Sequence, residues 1–402
     1  MSLIVRIPNG YSTVVANITS LFNLAQHTGF DVSALKIELS DSNLVELVSC
    51  HATQYISADL LDSTDDRSDF QLFYCSGKSL TQLQSDMSQG QVHFDILDKS
   101  GFVDLWKSES GALLAARCAN IIGDPEWHLS WFVVAIVLGF PFEDALMLAR
   151  AGSVSRETWP DDVALFPIPI VDHPEIILPS KVTNSSLKFA HIDSEMGLYP
   201  VVDNSDWIQR LLSIGVKTIQ LRIKQPDLPT LESEVERAIV LGREYGAKVF
   251  INDYWQLAIK YGAYGIHLGQ EDIEHADLER IAIHNIRLGI STHGYYEILR
   301  ISQLNPSYIA LGHIFPTTTK QMPSKPQGLI KLRLYQKLIN SIGRQSASIP
   351  TVAIGGIDKQ TAPMVWQCGV DSLAVVRAVT QAPDVAEAVR CFEQIMETSY
   401  AE

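Results

Sequence analysis

From Gly197 to the end of the chain, short apolar segments alternate with stretches of amphipathic, helical periodicity such as DWIQRLLSIG and LESEVERAIVLGREYG. The apolar segments, each interpreted as a strand, are GLYPVVD (197–203), TIQLRI (218–223), KVFIND (248–253), GIHLG (265–269), IRLGIST (286–292), YIALGHI (308–314), PTVAIGGI (350–357) and SLAVVR (372–377). Eight strand–helix units in about 200 residues predict an α/β fold of the (β/α)8 TIM-barrel type. The alternative is an open doubly wound sheet, which needs a GxGxxG-type first turn or a switch point, and neither is evident.

The 402-residue length favours two domains over one. The sequence between 160 and 186 is dense in proline, lacks helical periodicity and ends in an Asn/Ser-rich stretch, which is typical of a linker. We therefore expect a smaller α/β domain over 1–160, a linker over 161–190 and the TIM barrel over 191–402.

The charge and cysteine pattern restricts the class of protein. A net charge of −15 argues against a general binder of nucleic acid or of anionic membranes. The five cysteines form no CxxC pair, and the first residues lack the long apolar core of a signal peptide, so we expect reduced thiols and a cytoplasmic location. The most apolar stretch, 129–142, is too short to span a bilayer, which takes roughly 20 apolar residues, and is interpreted as a buried helix.

From the second unit onward, the unusual polar residues fall where the predicted strands end. These residues are Arg222, Lys224, Asn252, Asp253, His267, Asp272, Ser291, Thr317, Thr319, Lys320, Gly355, Gly356 and Arg377. The active site of a TIM barrel lies at the carboxyl ends of its strands, because the βα loops converge there. Burying so many polar groups without a use is costly, so the pattern predicts a functional site.

The residue types indicate two anion sites. Asp253 and Asp272 offer the oxygen ligands that Mg²⁺ prefers. Arg222, Lys224 and Lys320 suit a diphosphate, with Thr317 and Thr319 as hydroxyl donors beside Lys320. Gly355 and Gly356 allow close approach of backbone N–H groups to a phosphate after the seventh strand.

Each feature has a structural alternative. Asp253 is equally suited to cap the helix that follows it, and Asp272 to cap a turn. Arg222 and Lys224 alternate along a strand, so both point either into the barrel or out to solvent. His267 fits a hydrogen-bonded core position as well as a binding site. Independent caps and surface charges would not all gather at one end of a barrel, however, so the joint pattern favours function.

The segment from Gly197 to about Ala386 resembles thiamine-phosphate synthases of the proteobacterial type. The resemblance rests on GLYPVVD, QLRIK (220–224), FINDYW (250–255), GIHLGQED (265–272), LGISTH (288–293), ALGHIFPTTTKQMPSKPQG (310–328) and TVAIGGI (351–357), in this order. A related barrel, the thiazole tautomerase, lacks the diphosphate equipment that this chain keeps. A regulatory module that binds thiazole phosphate or pyrimidine without turnover is the third possibility, and the intact charged set argues against it.

The resemblance implies a Mg²⁺-dependent transferase that joins 4-amino-2-methyl-5-hydroxymethylpyrimidine diphosphate to a thiazole carrying a phosphate monoester. It implies a dissociative mechanism, in which the bond to diphosphate breaks before the thiazole nitrogen attacks. By position the resemblance assigns four residues to the pyrimidine diphosphate: Gln220, Arg222, Lys224 and Asn252. It assigns Asp253 and Asp272 to the metal, and Ser291 and Lys320 to the diphosphate. It also implies that His267 lines the pyrimidine pocket and that Thr317, Thr319 and Gly356 contact the thiazole phosphate. Arg377 stands where relatives have serine, and an arginine there would strengthen the phosphate contact. Homologous barrels form homo-oligomers, which we also expect here.

The N-terminal part is less informative. Residues 95–151 faintly resemble the C-terminal part of hydroxymethylpyrimidine kinases, which have a ribokinase-like fold. Those kinases hold the transferred phosphoryl group on a Gly-Thr-Gly turn at a helix N-terminus. The corresponding positions here are Gly123, Asp124, Pro125 and Glu126, where proline removes a donor and carboxylates repel phosphate. We expect a degenerate, non-catalytic kinase-like domain, or else an unrelated extension for docking or oligomerisation.

Overall fold

The structure is a computed structural model of the 402-residue chain. It describes residues 3–63, 65, 67–75, 77–99, 101–178, 187–192, 195–317, 325–345 and 348–398. The chain divides into two compact units. The N-terminal unit contains Met1–Thr183 together with Gly294–Arg300, and the C-terminal unit contains Asn184–His293 and Ile301–Glu402.

The C-terminal unit is a closed barrel of eight parallel strands, which confirms the predicted TIM-barrel fold. Its strands are β10 (Gly197–Val202), β11 (Thr218–Leu221), β12 (Lys248–Asn252), β13 (Gly265–Leu268), β14 (Arg287–Thr292), β15 (Tyr308–Gly312), β16 (Thr351–Ile354) and β17 (Ser372–Val375). The first and last strands pair in parallel, with Gly197 opposite Ser372, and this pairing closes the barrel.

The helices of the barrel follow the strands in chain order. They are α5 (Ser205–Ser213), α6 (Leu231–Glu244), α7 (Trp255–Tyr261), α8 (Leu278–Ile283), α10 (Gly328–Gln345), α11 (Ala362–Trp366), α12 (Arg377–Thr380) and α13 (Val385–Met396). Helix α9 (Tyr295–Ser302) follows β14, and its residues up to Arg300 are grouped with the N-terminal unit.

The barrel interior is filled by aromatic side chains. Tyr199, Phe250 and Tyr308 are fully buried, and their rings pack against one another at centroid separations of 5.2–5.9 Å. Gly289 makes room for this packing, because a Cβ atom there would lie 2.0 Å from the ring of Tyr308. The barrel is therefore a packed core that holds its polar groups at the strand ends.

The N-terminal unit is built on one nine-stranded mixed sheet in the order β2-β1-β3-β4-β5-β6-β7-β8-β9. Its strands are β1 (Leu3–Pro8), β2 (Leu35–Ser40), β3 (Val45–Val48), β4 (Thr53–Ala58), β5 (Phe70–Phe73), β6 (Gln91–Asp98), β7 (Gly101–Lys107), β8 (Leu113–Cys118) and β9 (Ile168–Pro169). Its helices are α1 (Ser12–Thr28), α2 (Leu80–Asp86), α3 (Pro125–Val137) and α4 (Phe142–Val154). The β1–β2, β4–β5 and β5–β6 pairs are parallel and the other pairs are antiparallel.

The N-terminal unit adds detail to the sequence interpretation in two places. The apolar stretch 129–142 is not a single buried helix, because α3 ends at Val137, a short connection follows, and α4 starts at Phe142. The interval expected to be a linker begins with ordered structure, because β9 pairs with β8 through Ala116 opposite Pro169. Proline is tolerated in β9 because this strand lies at the edge of the sheet. Within the described part of the chain, no helix is both long and apolar enough to cross a membrane.

Candidate active site

Four neighbouring barrel strands each place one predicted site residue near their carboxyl ends. Gln220 lies on β11, Asn252 on β12, His267 on β13 and Ser291 on β14. The register sets Asn252 directly opposite His267. Gln220, Asn252 and His267 are all buried. We define the mouth of the barrel as the edge formed by the carboxyl ends of the eight strands. The side chains face the interior below the mouth, because Gln220 and His267 contact the interior residues Tyr199 and Tyr308 and Asn252 shares the register of His267.

A buried chain of hydrogen bonds links these residues. The Gln220 amide donates to the Tyr199 hydroxyl (3.1 Å), which lies 2.9 Å from the hydroxyl of Tyr308. The Tyr308 hydroxyl is 2.7 Å from Nδ1 of His267, whose Nε2 is 2.8 Å from Oγ of Ser291. Both ring nitrogens of His267 are thus engaged, and the imidazole is fixed between the core and the mouth.

Tyr199 and Tyr308 are site residues that sequence reasoning missed, because an apolar strand with an inward tyrosine looks like ordinary core. Burial raises the pKa of both phenols, and for Tyr308 the neighbouring Tyr199 raises it further. Both hydroxyls therefore stay protonated and can donate within the chain of hydrogen bonds. The useful signal would have been the hydroxyl group itself, because a buried tyrosine needs a polar partner.

Arg222 and Lys224 do not lie on a strand. Strand β11 ends at Leu221, so the expectation that the two side chains alternate along it is wrong. The backbone N–H of Arg222 still donates to the carbonyl of Val202 at 2.7 Å, which keeps the chain against β10 at the mouth. Arg222 is partly buried, whereas Lys224 is exposed in the loop that follows. Tyr254 fastens this loop, since its hydroxyl donates to the carbonyl of Ile223 at 3.0 Å.

Asp253 is not a helix cap. The N-cap of α7 is Tyr254, which makes no side-chain capping bond. Asp253 has φ of +65°, a left-handed conformation that is uncommon for residues other than glycine, and its side chain is exposed at the mouth. A strained residue at this position is typical of a functional site.

Asp272 does support a turn, as the structural alternative expected. Its Oδ2 accepts a hydrogen bond from the N–H of Gly269 at 3.0 Å, within the connection that follows β13. Asp253 and Asp272 thus follow adjacent strands. Among the described residues, no group of three or more His, Cys, Asp or Glu side chains forms a metal site. A pair of carboxylates fits Mg²⁺, which keeps several waters and takes ligands from substrate phosphates.

The opposite side of the mouth is built from backbone. Gly355 and Gly356 have φ of +103° and +67° and follow β16. A Cβ atom at Gly355 would meet Cβ of His313 at 2.4 Å, and one at Gly356 would meet the carbonyl oxygen of Pro316 at 2.8 Å, so both space and conformation require glycine. Thr317 lies beyond Pro316 and is partly buried.

The remaining predicted residues, Arg377, Thr319 and Lys320, do not lie on the strand ends described above. Strand β17 ends at Val375, two residues earlier than the predicted strand. Arg377 instead begins the short helix α12, where its side chain is exposed. Thr319 and Lys320 lie outside the described residues. Gln327 was not singled out from the sequence, yet its buried amide donates to the carbonyl of Gly312 at 2.7 Å and ties the returning loop to β15.

Comparison with known proteins places the barrel in a family. A family model described as Thiamine monophosphate synthase matches residues 198–379. The chain is 52% identical over 212 residues to the thiamine-phosphate synthase of Pectobacterium atrosepticum, covering 53% of this chain and 97% of the relative. It is 54% identical over 196 residues to that of Cronobacter sakazakii, covering 49% and 90% of the two chains. A solved thiamine phosphate pyrophosphorylase from Pyrococcus furiosus is 32% identical, with 50% of this chain and 96% of that chain covered and a TM-score of 0.44.

These relatives are matched over nearly their whole length by the barrel half of the chain alone. The strand ends that carry Gln220, Asn252, His267 and Ser291 lie within the matched residues. The resemblance expected from the sequence is therefore confirmed, and the chain is an enzyme of the thiamine-phosphate synthase family, a group of transferases in thiamine biosynthesis.

Proposed function

We propose that the barrel joins 4-amino-2-methyl-5-hydroxymethylpyrimidine diphosphate to 4-methyl-5-(2-phosphoethyl)thiazole, giving thiamine phosphate and diphosphate. The observation that carries this proposal is the composition of the mouth. Amide side chains lie near the ends of β11 and β12 and cationic side chains follow β11, while a backbone cradle of two glycines follows β16. One side of the mouth therefore suits a diphosphate with its metal, and the other suits a phosphate monoester.

The reaction exchanges one bond for another. The C–O bond between the pyrimidine methylene and the diphosphate breaks, and the diphosphate leaves with the electron pair. The thiazole nitrogen then donates its lone pair to the methylene cation and forms the new C–N bond. No proton needs to be removed for either step, so the chemistry depends on stabilising the leaving group and aligning the two substrates.

The side of the mouth next to β11, where Arg222 and Lys224 lie, is assigned to the leaving diphosphate. Arg222 and Lys224 would contact its oxygens, with Lys320 and the hydroxyl of Ser291 completing the set. Gln220 and Asn252 would orient the pyrimidine from the barrel interior. His267 is a positioning residue in this scheme, because its ring is held by Tyr308 and in turn holds Ser291.

Asp253 and Asp272 are the residues that would hold Mg²⁺. When bound there, the ion would supply positive charge to the departing diphosphate. Two observations support Mg²⁺ binding by these residues. Asp253 and Asp272 follow the adjacent strands β12 and β13, and Asp253 is exposed at the mouth in a strained backbone conformation. With only two carboxylates from the protein, the remaining ligands would come from water and substrate oxygens.

The glycine side of the mouth is assigned to the thiazole phosphate. The backbone N–H groups near Gly355 and Gly356 would receive the phosphate oxygens, with hydroxyls from Thr317 and Thr319 beside them. Arg377 would add charge at the start of α12. In this assignment the diphosphate and the thiazole phosphate would lie at the ends of different strands, and the thiazole nitrogen would face the pyrimidine methylene.

The proposed reaction is tested directly with the purified full-length chain, Mg²⁺ and the two substrates. We expect thiamine phosphate, followed by its oxidised fluorescent derivative, to appear in a one-to-one ratio with released diphosphate. Addition of EDTA is expected to abolish the product, and excess Mg²⁺ to restore it. If the chain makes no product with Mg²⁺ or Mn²⁺, the barrel is instead a tautomerase or a binding module.

We propose that the N-terminal unit transfers no phosphoryl group. At the start of α3, the Asp124 carboxylate accepts the N–H of Trp127 at 3.1 Å and pairs with Arg156 at 2.8 Å. The protein's own carboxylate thus takes a donor that an incoming phosphate would need, and Pro125 at the first helical position provides none. Incubation with ATP and the pyrimidine alcohol or its monophosphate is expected to release no ADP above the background, and substrate-dependent ADP release would contradict this assignment.

A further inference from the structure

One edge of the N-terminal sheet is formed by β2, which stands first in the strand order. Among the described residues, its only hydrogen-bonded neighbour strand is β1. Natural sheets usually protect an edge with a short strand, a bulge or a proline. The opposite edge follows this rule, because β9 has two residues and one of them is Pro169. Strand β2 has six residues without proline, and its register with β1 is unbroken, so it offers a long and regular edge.

The backbone of β2 directs hydrogen-bonding groups away from the sheet at alternate residues. The N–H of Asn9, just after β1, donates to the carbonyl of Ser40 at 2.9 Å, so the even-numbered positions of β2 face β1. Backbone groups alternate in direction along a strand. The N–H and C=O groups of Ile37 and Leu39, and the C=O of Leu35, therefore point outward from the edge.

The odd-numbered positions of β2 also carry its apolar side chains. Val5 and Ile7 of β1 are fully buried on the core face of the sheet, and they lie opposite Ile37 and Leu39. Residues in register on neighbouring strands project to the same face. The core face thus continues onto β2, where Ile37 is partly buried and Leu39 is 62% exposed. The edge ends in apolar surface that a further strand would cover.

The other face of the sheet carries a row of alternating charges that ends at β2. Arg6 on β1 lies 3.4 Å from Glu46 on β3 and 3.2 Å from Glu38 on β2. The row is therefore negative, positive and negative from β3 to β2. A positive side chain on a further strand would extend it, and β2 itself carries one, the exposed Lys36, two positions from Glu38.

We propose that β2 pairs with β2 of a second copy of this chain, in an antiparallel register centred on Ile37. A two-fold axis makes the two edges antiparallel and uses the same surface on both copies. The outward N–H and C=O groups of Ile37 bond to those of Ile37 in the other copy. Lys36 of each copy lies opposite Glu38 of the other, and Leu35 lies opposite Leu39. The two nine-stranded sheets become one continuous sheet.

This pairing suits the side chains on both faces. Lys36 and Glu38 occupy the non-hydrogen-bonded positions of the antiparallel pair, where opposed side chains come closest. Lys36 of one copy then extends the charge row beyond Glu38 of the other. On the core face, Leu35 of one copy covers the exposed Leu39 of the other.

The charges also select this register over its neighbours. Sliding one copy by two residues keeps the faces matched but places Lys36 opposite Lys36, or Glu38 opposite Glu38, depending on the direction. Like charges directly opposite each other destabilise a strand pair. Sliding by one residue sets the apolar positions against the charged face. The edge is thus complementary to itself in one antiparallel register.

The test is sedimentation velocity on the full-length chain between about 1 and 300 μM, because interfaces of this small size are weak. The wild-type mass should rise with concentration toward twice the 44.6 kDa of one chain. Lys36→Glu and Glu38→Lys are each expected to raise the dimer Kd about tenfold or more, because either change makes both cross-strand charge contacts repulsive. Lys99→Glu is the matched control for Lys36→Glu, since it makes the same change of charge at a 91% exposed lysine after β6, and it should leave the Kd unchanged.

An equimolar mixture of the two variants decides the register. Every charge contact between Lys36→Glu and Glu38→Lys chains is attractive, so the mixture should form mixed dimers with a Kd within about threefold of the wild type. Recovery in the mixture also shows that both variants are folded. A wild-type chain that stays monomeric would show that Lys36 and Glu38 protect the edge, and would overturn the inference. Association that persists unchanged in both variants would place the contact on another surface and overturn it as well. The inference is independent of the reaction proposed for the barrel, because it is tested by mass.

Discussion

Replacing Asp253 with asparagine is expected to lower kcat/KM for thiamine phosphate formation by about 100- to 1,000-fold, since a metal ion at a leaving group is worth several kcal/mol. Asparagine has nearly the same shape and, like aspartate, tolerates the left-handed conformation that this position requires at φ of +65°. The substitution therefore removes the negative charge with little effect on the backbone. The measurement is the initial rate over a range of Mg²⁺ concentrations.

The pattern of the loss identifies its cause. If Asp253 binds the metal, the Mg²⁺ concentration that gives half the maximal rate should rise together with the fall in kcat/KM. The control is Asp206→Asn on α5, whose carboxylate is exposed and pairs with Arg237 outside the mouth. That variant should retain wild-type rates. A fall of less than threefold in the Asp253 variant, with an unchanged Mg²⁺ dependence, would remove Asp253 from the metal site.

The barrel was predictable because its signal is repeated. Eight apolar segments separated by amphipathic helices leave few other folds open, and polar residues just after such segments must meet at one edge. This logic placed Asn252, His267 and Ser291 near the mouth without any knowledge of their contacts. It did not find where each strand stops, and so it placed Arg222 and Lys224 on β11 instead of after it.

The contacts that the sequence did not reveal are those that depend on the closed barrel. The hydrogen bond between Tyr199 and Tyr308 joins β10 to β15, residues 109 positions apart, across the interior. No local pattern marks such a pair, because each tyrosine alone fits an apolar strand.

The nine-stranded sheet of the N-terminal unit was even less predictable. Its order separates β1 from β4 by β3 and mixes parallel with antiparallel neighbours, so strand pairing depends on long-range contacts. Short strands of four residues, such as β3 and β5, give little periodicity to detect. Here one charged residue on α4, Arg150, shows how the unit is held together.

Replacing Arg150 with methionine is expected to destabilise the N-terminal unit by about 3–5 kcal/mol, because removing one partner of a buried ion pair leaves uncompensated charge. Arg150 is only 6% exposed, and its Nε donates to Asp104 at 2.6 Å. Its Nη2 pairs with Asp95 at 2.9 Å, and Nη1 donates to the carbonyl of Asn120 at 3.1 Å. Burial acts to lower the pKa of Arg150, but the hydrogen bond to Asp104 and the combined electrostatic effects of Asp104, Cys118 and Asp95 outweigh it, so the pKa is raised overall.

Methionine keeps the length and apolar volume of the arginine stem, so the loss would come from the unpaired carboxylates of Asp104 and Asp95 and not from a cavity. The measurement is the urea dependence of amide hydrogen exchange in peptides from β6, β7 and α4, which reports on this unit separately from the barrel. Arg156→Met is the matched control, since Arg156 forms an exposed pair with Asp124 that is worth at most about 1 kcal/mol. Because the Asp104 carboxyl group would remain buried without its arginine partner in the Arg150 variant, adding Asp104→Asn should recover part of the lost stability. Equal destabilisation by the Arg150 and Arg156 substitutions would show that the buried cluster does not hold the sheet and α4 together.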